Sequence, residues 1–275
     1  MKCRLLILFL VCLSSFAFAQ SEHSAMSADA WQKLIRGNAL NTSSGAFQPP
    51  RSGFALYFSR AGNVSEPYLV YVPKSYNPLN SSPVVVFLHG AILAKDSFQY
   101  KDPSIANEPI FTIGETLNTI VVFPFARTDF KWSGQSPAFG NIISIVKQVE
   151  RDYNVDKKKV FIGGISMGGI ATFWFVNNHP EMFAGFYTFS AAPHSPDGAI
   201  KYGNLTKSKP LYSLNAKDDP VFSYNDMETA YNTHKDEAPG WHYATVDAGG
   251  HRFIYGQGGA EQIRSLLSKL FTAQQ

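Results

Sequence analysis

Hydrophobic and polar positions change period repeatedly along the chain. Phe54 to Ser59 and Tyr68 to Val72 are short alternating runs ended by turn residues, the pattern of strands that open a sheet antiparallel. Pro83-Val84-Val85-Val86-Phe87-Leu88 is apolar without a break, as expected of a strand buried on both faces, and Thr119 to Phe123 repeats the pattern. From Phe139 to Tyr153, residues Ile142, Ile143, Val146, Val149 and Tyr153 recur at helical spacing. Val160-Phe161-Ile162 predicts a further buried strand, followed by an apolar helix from Ile170 to Val176. Phe186 to Ser190, Leu211 to Leu214 and Trp241 to Val246 complete the strands, and Glu261 to Phe271 predicts a closing helix. Strands alternating with helices imply parallel βαβ units. The predicted fold is therefore α/β, with about eight strands, mostly parallel, and helices on both faces.

The first residues follow a different rule. Lys2 and Arg4 precede an apolar run from Leu5 to Leu13, and Ala17-Phe18-Ala19 offers a small-x-small cleavage site before Gln20. Residues 1–19 thus read as a secretory signal peptide. The apolar run is shorter than the ~20 residues a bilayer requires, which argues against a membrane anchor. The expected destination is secreted or periplasmic. Residues 20–50 are polar and rich in small side chains, with one or two helical turns at Ala30 to Ile35, and read as an N-terminal arm. Residues 51–275 then read as one further domain.

Cleavage would alter the composition. Both cysteines, Cys3 and Cys12, lie in the leader, so the mature chain is expected to fold without disulfides. The 24 basic residues fall by Lys2 and Arg4 to 22, against 21 acidic ones. Near-neutrality points to no nucleic-acid partner. Charged residues make up only 16%, against a common share of about 25%, so the surface must draw on uncharged polar groups.

The strongest chemical signal is Gly163-Gly164-Ile165-Ser166-Met167-Gly168-Gly169, which contains G-x-S-x-G between a predicted strand and a predicted helix. A serine at so sharp a turn is forced into a strained backbone. Side chains two residues before and after it would clash, which calls for Gly164 and Gly168. The turn also sets Ser166 at a helix N-terminus, where backbone N–H groups favour developing negative charge. A plain glycine-rich turn is the alternative, and the flanking elements favour the nucleophile.

A serine hydroxyl needs a base to take its proton. Among seven histidines, His251 follows the last strand on a Gly249-Gly250 loop and is the preferred base. His89 ends the third strand and reads as a loop-shaping residue. The orienting acid is expected after Leu214, where the chain reads Lys217-Asp218-Asp219-Pro220-Val221. A solvated Asp-Pro turn is the plain alternative there. Consecutive extended residues point opposite ways, so one aspartate faces the histidine. Pro220 holds Asp219 extended, and Asp219 is preferred, leaving Asp218 to face solvent or cap the turn. The oxyanion donors are expected at the N–H groups of Met167 and Ala91. Phe130, Trp132 and Phe139 are candidate walls of an apolar pocket, with Trp132 put forward as substrate-binding; ordinary core packing is the alternative for them. Ala192 to Lys209, rich in Ser, Pro, Gly and Asn, is a candidate short lid.

Four motifs in this order, Val84 to Gly90, Gly164 to Gly169, Asp218 to Val221 and Gly249 to His251, resemble the α/β-hydrolase superfamily. Tyr68 to Lys74 leading to Leu88-His89-Gly90, and Asn154-Val155-Asp156-Lys157 leading to Ser166, look like secreted esterases of the polyhydroxybutyrate-depolymerase and feruloyl-esterase type. Those relatives often carry cysteines, which the mature chain would lack. The order Asp219-Pro220-Val221 also matches the superfamily's acid turn. The resemblance implies a Ser-His-Asp acyl-transfer mechanism, no cofactor and no metal, and a small-molecule or polymer-derived ester as substrate. Two rivals stand beside it: a serine peptidase or acyl-peptide hydrolase of the same fold, and a non-catalytic hydrolase-like binding protein.

Overall fold

The long valine-rich runs pair with one another at the centre of an eight-stranded sheet, with flanking strands on either side. The computed structural model of the protein describes residues 27–44, 50–61, 63–91, 97–128, 131–132 and 137–273. The expected leader, 1–19, and Phe130 lie outside the described residues. In chain order the strands are β1 (Gly53–Ala61), β2 (Val64–Val72), β3 (Ser82–Leu88), β4 (Ile120–Pro124), β5 (Val155–Ile165), β6 (Gly185–Phe189), β7 (Leu211–Ala216) and β8 (Trp241–Val246). Their spatial order is β1-β2-β4-β3-β5-β6-β7-β8. The β1/β2 and β2/β4 pairs are antiparallel, and every later pair is parallel.

The helices are α1 (Ala28–Ser44), α2 (Pro109–Thr116), α3 (Pro137–Asp152), α4 (Met167–Asn178), α5 (Tyr224–His234) and α6 (Gly259–Thr272). Alternation along each strand divides the core into two layers. Val84, Val86 and Leu88 of β3 face the layer that holds Ile142, Val146 and Phe173 of α3 and α4. Val85 and Phe87 face the opposite layer, with Ile110 of α2 and Leu267 of α6. A two-residue period in a strand covered on both sides leaves no position for a polar side chain, which is why β3 reads as an unbroken apolar run.

Three elements differ from the sequence expectation. The arm carries a 17-residue helix rather than a turn or two. Its anchor is Trp31, which is fully buried, meets Phe54 edge-on at 5.6 Å, and donates Nε1–H to the Tyr100 carbonyl at 3.0 Å. Helices α2 and α5 have no counterpart in the pattern reading. In α5 only Met227 is buried, so there is little apolar stripe to detect. Among the described residues no helix is long and apolar enough to cross a membrane.

Part of the segment expected to act as a lid, Ala192 to Lys209, is tied elsewhere. The Lys201 N–H donates to Asn177 Oδ1 at 2.8 Å, and Asn204 Nδ2 donates to the Val176 carbonyl at 2.8 Å. Both partners sit in the last turn of α4. A 12-residue helix is about 18 Å long, so this part of the segment is tied well away from the helix N-terminus, where Ser166 lies.

Candidate active site

Strand β5 ends at Ile165, and Ser166 turns the chain into α4 with φ 54° and ψ −117°. A non-glycine residue in that region costs of order 1–3 kcal/mol and persists only where its surroundings impose it. Two bonds do so here. The Ser166 N–H donates to the Phe189 carbonyl at 3.0 Å, and the Ser166 carbonyl accepts from the Ile170 N–H at 2.9 Å. The glycines on either side answer to a neighbour in space rather than to the serine. A Cβ at Gly164 would stand 2.0 Å from the Leu88 carbonyl oxygen, and one at Gly168 would stand 1.9 Å from the same atom. The steric requirement assigned to the turn itself therefore comes from the end of β3.

His251 reaches this serine from a loop 85 residues further along the chain. After β8, Gly249 (φ 122°) and Gly250 (φ 61°) adopt left-handed conformations open to glycine. They lead into a short helical segment, Gly250–Tyr255. His251 Nε2 lies 2.8 Å from Ser166 Oγ, and Nδ1 lies 2.9 Å and 3.1 Å from the two carboxylate oxygens of Asp219. The Asp219 side chain is fully buried and that of His251 is 20% exposed. Asp219 Oδ1 also accepts the N–H groups of Val221 (2.8 Å) and Phe222 (3.1 Å). A carboxylate that accepts from two backbone donors accepts from the imidazole as well. The proton is thus assigned to Nδ1, leaving Nε2 free to accept from the serine hydroxyl.

The oxyanion candidates lie on the two segments that flank Ser166. Met167 opens α4, and the first N–H groups of a helix have no partner within it. The turn after β3 comes against the serine: a Cβ on Gly90 would stand 3.6 Å from Ser166 Cβ. Ala91 follows on that turn and is exposed.

His89 is buried and takes no part in the Ser166 bond. Its Nδ1–H donates to the Gly90 carbonyl at 2.8 Å, and its Nε2 accepts the Ala126 N–H at 3.0 Å. Burial pushes the imidazole down to about 4, with the bond to Gly90 acting against the shift, so the ring is neutral at pH 7. A neutral ring with one donor and one acceptor is what these two bonds require.

Trp132 corrects the sequence expectation. It is 1% exposed, packs against the His89 ring at 4.8 Å, and donates Nε1–H to the His89 carbonyl at 3.0 Å. It braces the end of β3 and offers almost no surface to a substrate. Phe139 is also interior, stacked on Trp174 at 4.3 Å. One ring that does border the histidine has no counterpart in the sequence reading. The Phe222 ring lies 5.5 Å from the His251 ring, and neighbouring Val221 is 59% exposed. Its signal is positional, since Phe222 lies three residues after Asp219. Among the described residues no cluster of three His, Cys, Asp or Glu side chains is arranged to hold a metal ion.

This sheet order, with a strained serine between β5 and α4, defines the α/β-hydrolase fold. Comparison with known proteins agrees. The prolyl oligopeptidase family matches residues 133–193, the stretch that carries Ser166. A bifunctional acetylxylan esterase/xylanase of Neocallimastix patriciarum is 26% identical over 172 residues, covering 61% of this chain. The chain spans only 23% of that relative's length. Among solved structures, a thermostable esterase superposes with a TM-score of 0.60 at 22% identity, over 80% of this chain and 62% of its own. A ferulic acid esterase gives a TM-score of 0.61 at 20% identity, over 80% of this chain and 97% of its own.

Proposed function

We propose that the protein is a serine hydrolase that cleaves carboxylic esters. The observation that carries this reading is the continuous hydrogen-bonded line from Ser166 Oγ through His251 to Asp219, built on a strained turn. In the proposed reaction His251 Nε2 takes the Ser166 hydroxyl proton as Oγ attacks the ester carbonyl carbon. The carbonyl oxygen gains negative charge, which the N–H groups of Met167 and Ala91 stabilise. The ester C–O bond then breaks, His251 returns the proton to the leaving alcohol, and an acyl-Ser166 ester remains. A water molecule repeats the sequence on that ester and releases the acid. Asp219 holds the imidazole in one tautomer and supports its positive charge.

The names of two similar proteins, an acetylxylan esterase/xylanase and a ferulic acid esterase, make acetate and ferulate esters the first substrates to test. The match to the prolyl oligopeptidase family over the serine segment favours one alternative, a serine peptidase. A fluorophosphonate probe combined with p-nitrophenyl ester and peptide-anilide panels separates the readings. Labelling of Ser166 with ester turnover and no anilide cleavage supports the esterase. Anilide cleavage in preference to ester cleavage supports the peptidase, and no labelling overturns both. We also propose that residues 1–19 direct export and are removed. N-terminal sequencing of the exported protein should begin near Gln20, and a chain that retains Lys2 and Arg4 would refute it.

A further inference from the structure

The adjacent acids Asp218 and Asp219 hold different parts of the same loop. Asp219 binds the His251 side chain. Asp218 is exposed and turned the other way, and its carboxylate accepts the backbone N–H of Gly250 at 2.8 Å and of Gly249 at 3.1 Å. These are the two residues before His251, and both have positive φ. We infer that Asp218 is a positioning residue, whose carboxylate fixes the backbone that presents the His251 imidazole to Ser166. The inference rests on the proposed Ser-His-Asp reading.

The supports on either side of the loop show what Asp218 adds. Downstream of His251, Phe253 and Ile254 are buried in the core. Upstream, the Lys217 N–H bonds to the Val246 carbonyl at 2.9 Å, and Lys217 Nζ pairs with Asp247 at 2.7 Å. Between these anchors lie Ala248, Gly249 and Gly250, which bring no large side chain to the core. Glycine has the widest range of backbone conformations to lose. The carboxylate of Asp218 selects one of them by binding two successive N–H groups. Those donors, Gly250 first and Gly249 second, in turn hold the Asp218 carboxyl below its usual range, so the acceptor is charged at neutral pH. The same turn of chain between β7 and α5 thereby sets both the ring of His251 and the backbone beneath it.

The test compares Asp218→Ala and Asp218→Asn with Asp219→Ala, the double variant Asp218→Ala/Asp219→Ala, and Ser166→Ala, on p-nitrophenyl acetate. A displacement of about 1 Å at a reacting group costs on the order of 10²-fold in rate. Asp218→Ala is therefore expected to lower kcat by about 10–100-fold, with KM within about twofold of the parent. Asp218→Asn keeps an acceptor oxygen for one of the two N–H groups and should recover most of that loss. In the Asp219→Ala background the histidine is already unheld, so adding Asp218→Ala should cost less than about threefold more. Simple damage to the fold would instead multiply the two losses and leave Asn no better than Ala. A kcat for Asp218→Ala within twofold of the parent, or fully multiplicative losses, overturns the inference while leaving the nucleophile reading intact. If Asp218→Ala does not fold, the Asn variant decides: a kcat below a hundredth of the parent's, with an unchanged melting temperature, would overturn the inference. Ester turnover that survives Ser166→Ala would remove the reading on which the inference rests, and the inference with it.

Discussion

Replacing Asp219 by asparagine should abolish most activity for a reason that can be worked out atom by atom. Asn and Asp have the same shape, and the side chain is fully buried, so the pocket will accept the change. Oδ1 accepts the N–H groups of Val221 and Phe222, and only an oxygen can satisfy two donors. The amide oxygen must therefore occupy the Oδ1 position. Its NH₂ group then takes the place of Oδ2, 2.9 Å from His251 Nδ1. Two donors cannot face each other, so the imidazole must present an unprotonated Nδ1 and move its proton to Nε2. Nε2–H then points at Ser166 Oγ, 2.8 Å away, and cannot take the serine proton. An Asp-to-Asn change in a Ser-His-Asp triad costs about 10⁴-fold in kcat, or about 5.5 kcal/mol of transition-state stabilisation, and a similar loss is expected here. Steady-state kinetics on p-nitrophenyl acetate measures the loss, and proton–nitrogen NMR of ¹⁵N-histidine-labelled protein reports the tautomer. A variant that keeps more than a tenth of the parent kcat, or that loses activity with its Nδ1 proton still in place, would refute the reasoning.

Other outcomes follow from the same geometry. Ser166→Ala should lower ester hydrolysis by about 10³-fold or more, because it removes the nucleophile, while its melting curve stays close to that of the parent; retained turnover would move the nucleophile elsewhere. Trp31→Ala removes the fully buried anchor of α1 and should cost about 3–5 kcal/mol of stability in urea unfolding, with kcat measured on the folded fraction unchanged. Glu66 is buried on β2, beside Asn141 of α3, and burial pushes its carboxyl up to about 8 while the Asn141 bond opposes the shift. The folded state thus holds this proton more tightly than the unfolded chain does. The site's contribution is fully present below about pH 4.5 and is lost as pH rises toward 8. Relative to the parent, Glu66→Gln should therefore gain stability by about 1.4 kcal/mol per pH unit across that window, and a gain that is flat from pH 5 to 8 would contradict this.

Much of the architecture was legible in the chain because burial writes itself into local period. Val84 to Leu88 and Val160 to Ile162 are apolar at every position because both faces of their strands are covered. The G-x-S-x-G segment carries its own context, a strand before it and a helix after it. Elements that bury little leave a faint trace, and α5, with Met227 as its one buried side chain, escaped notice for that reason. The sequence also narrowed the orienting acid to two adjacent residues and favoured the second.

What tertiary structure alone decided depends on segments that are distant along the chain. His251 and Ser166 are 85 residues apart, and His251 and Asp219 are 32 apart. Their meeting follows from β5, β7 and β8 running parallel in one sheet, so that the loops after them open at the same end. The obstacle that demands glycine at 164 and 168 is the Leu88 carbonyl of another strand, invisible to any local pattern. Trp132 looked like a substrate wall because an aromatic side chain in a loop has the same composition whether it faces a pocket or the core. Its contact with His89, 43 residues away, placed it in the interior. Asp218 and Asp219 are chemically identical neighbours, and only the folded positions of the Gly249-Gly250 backbone and the His251 ring divide the loop between them. Local sequence specifies period and turn chemistry, whereas convergence of loops is a property of the sheet that gathers their ends.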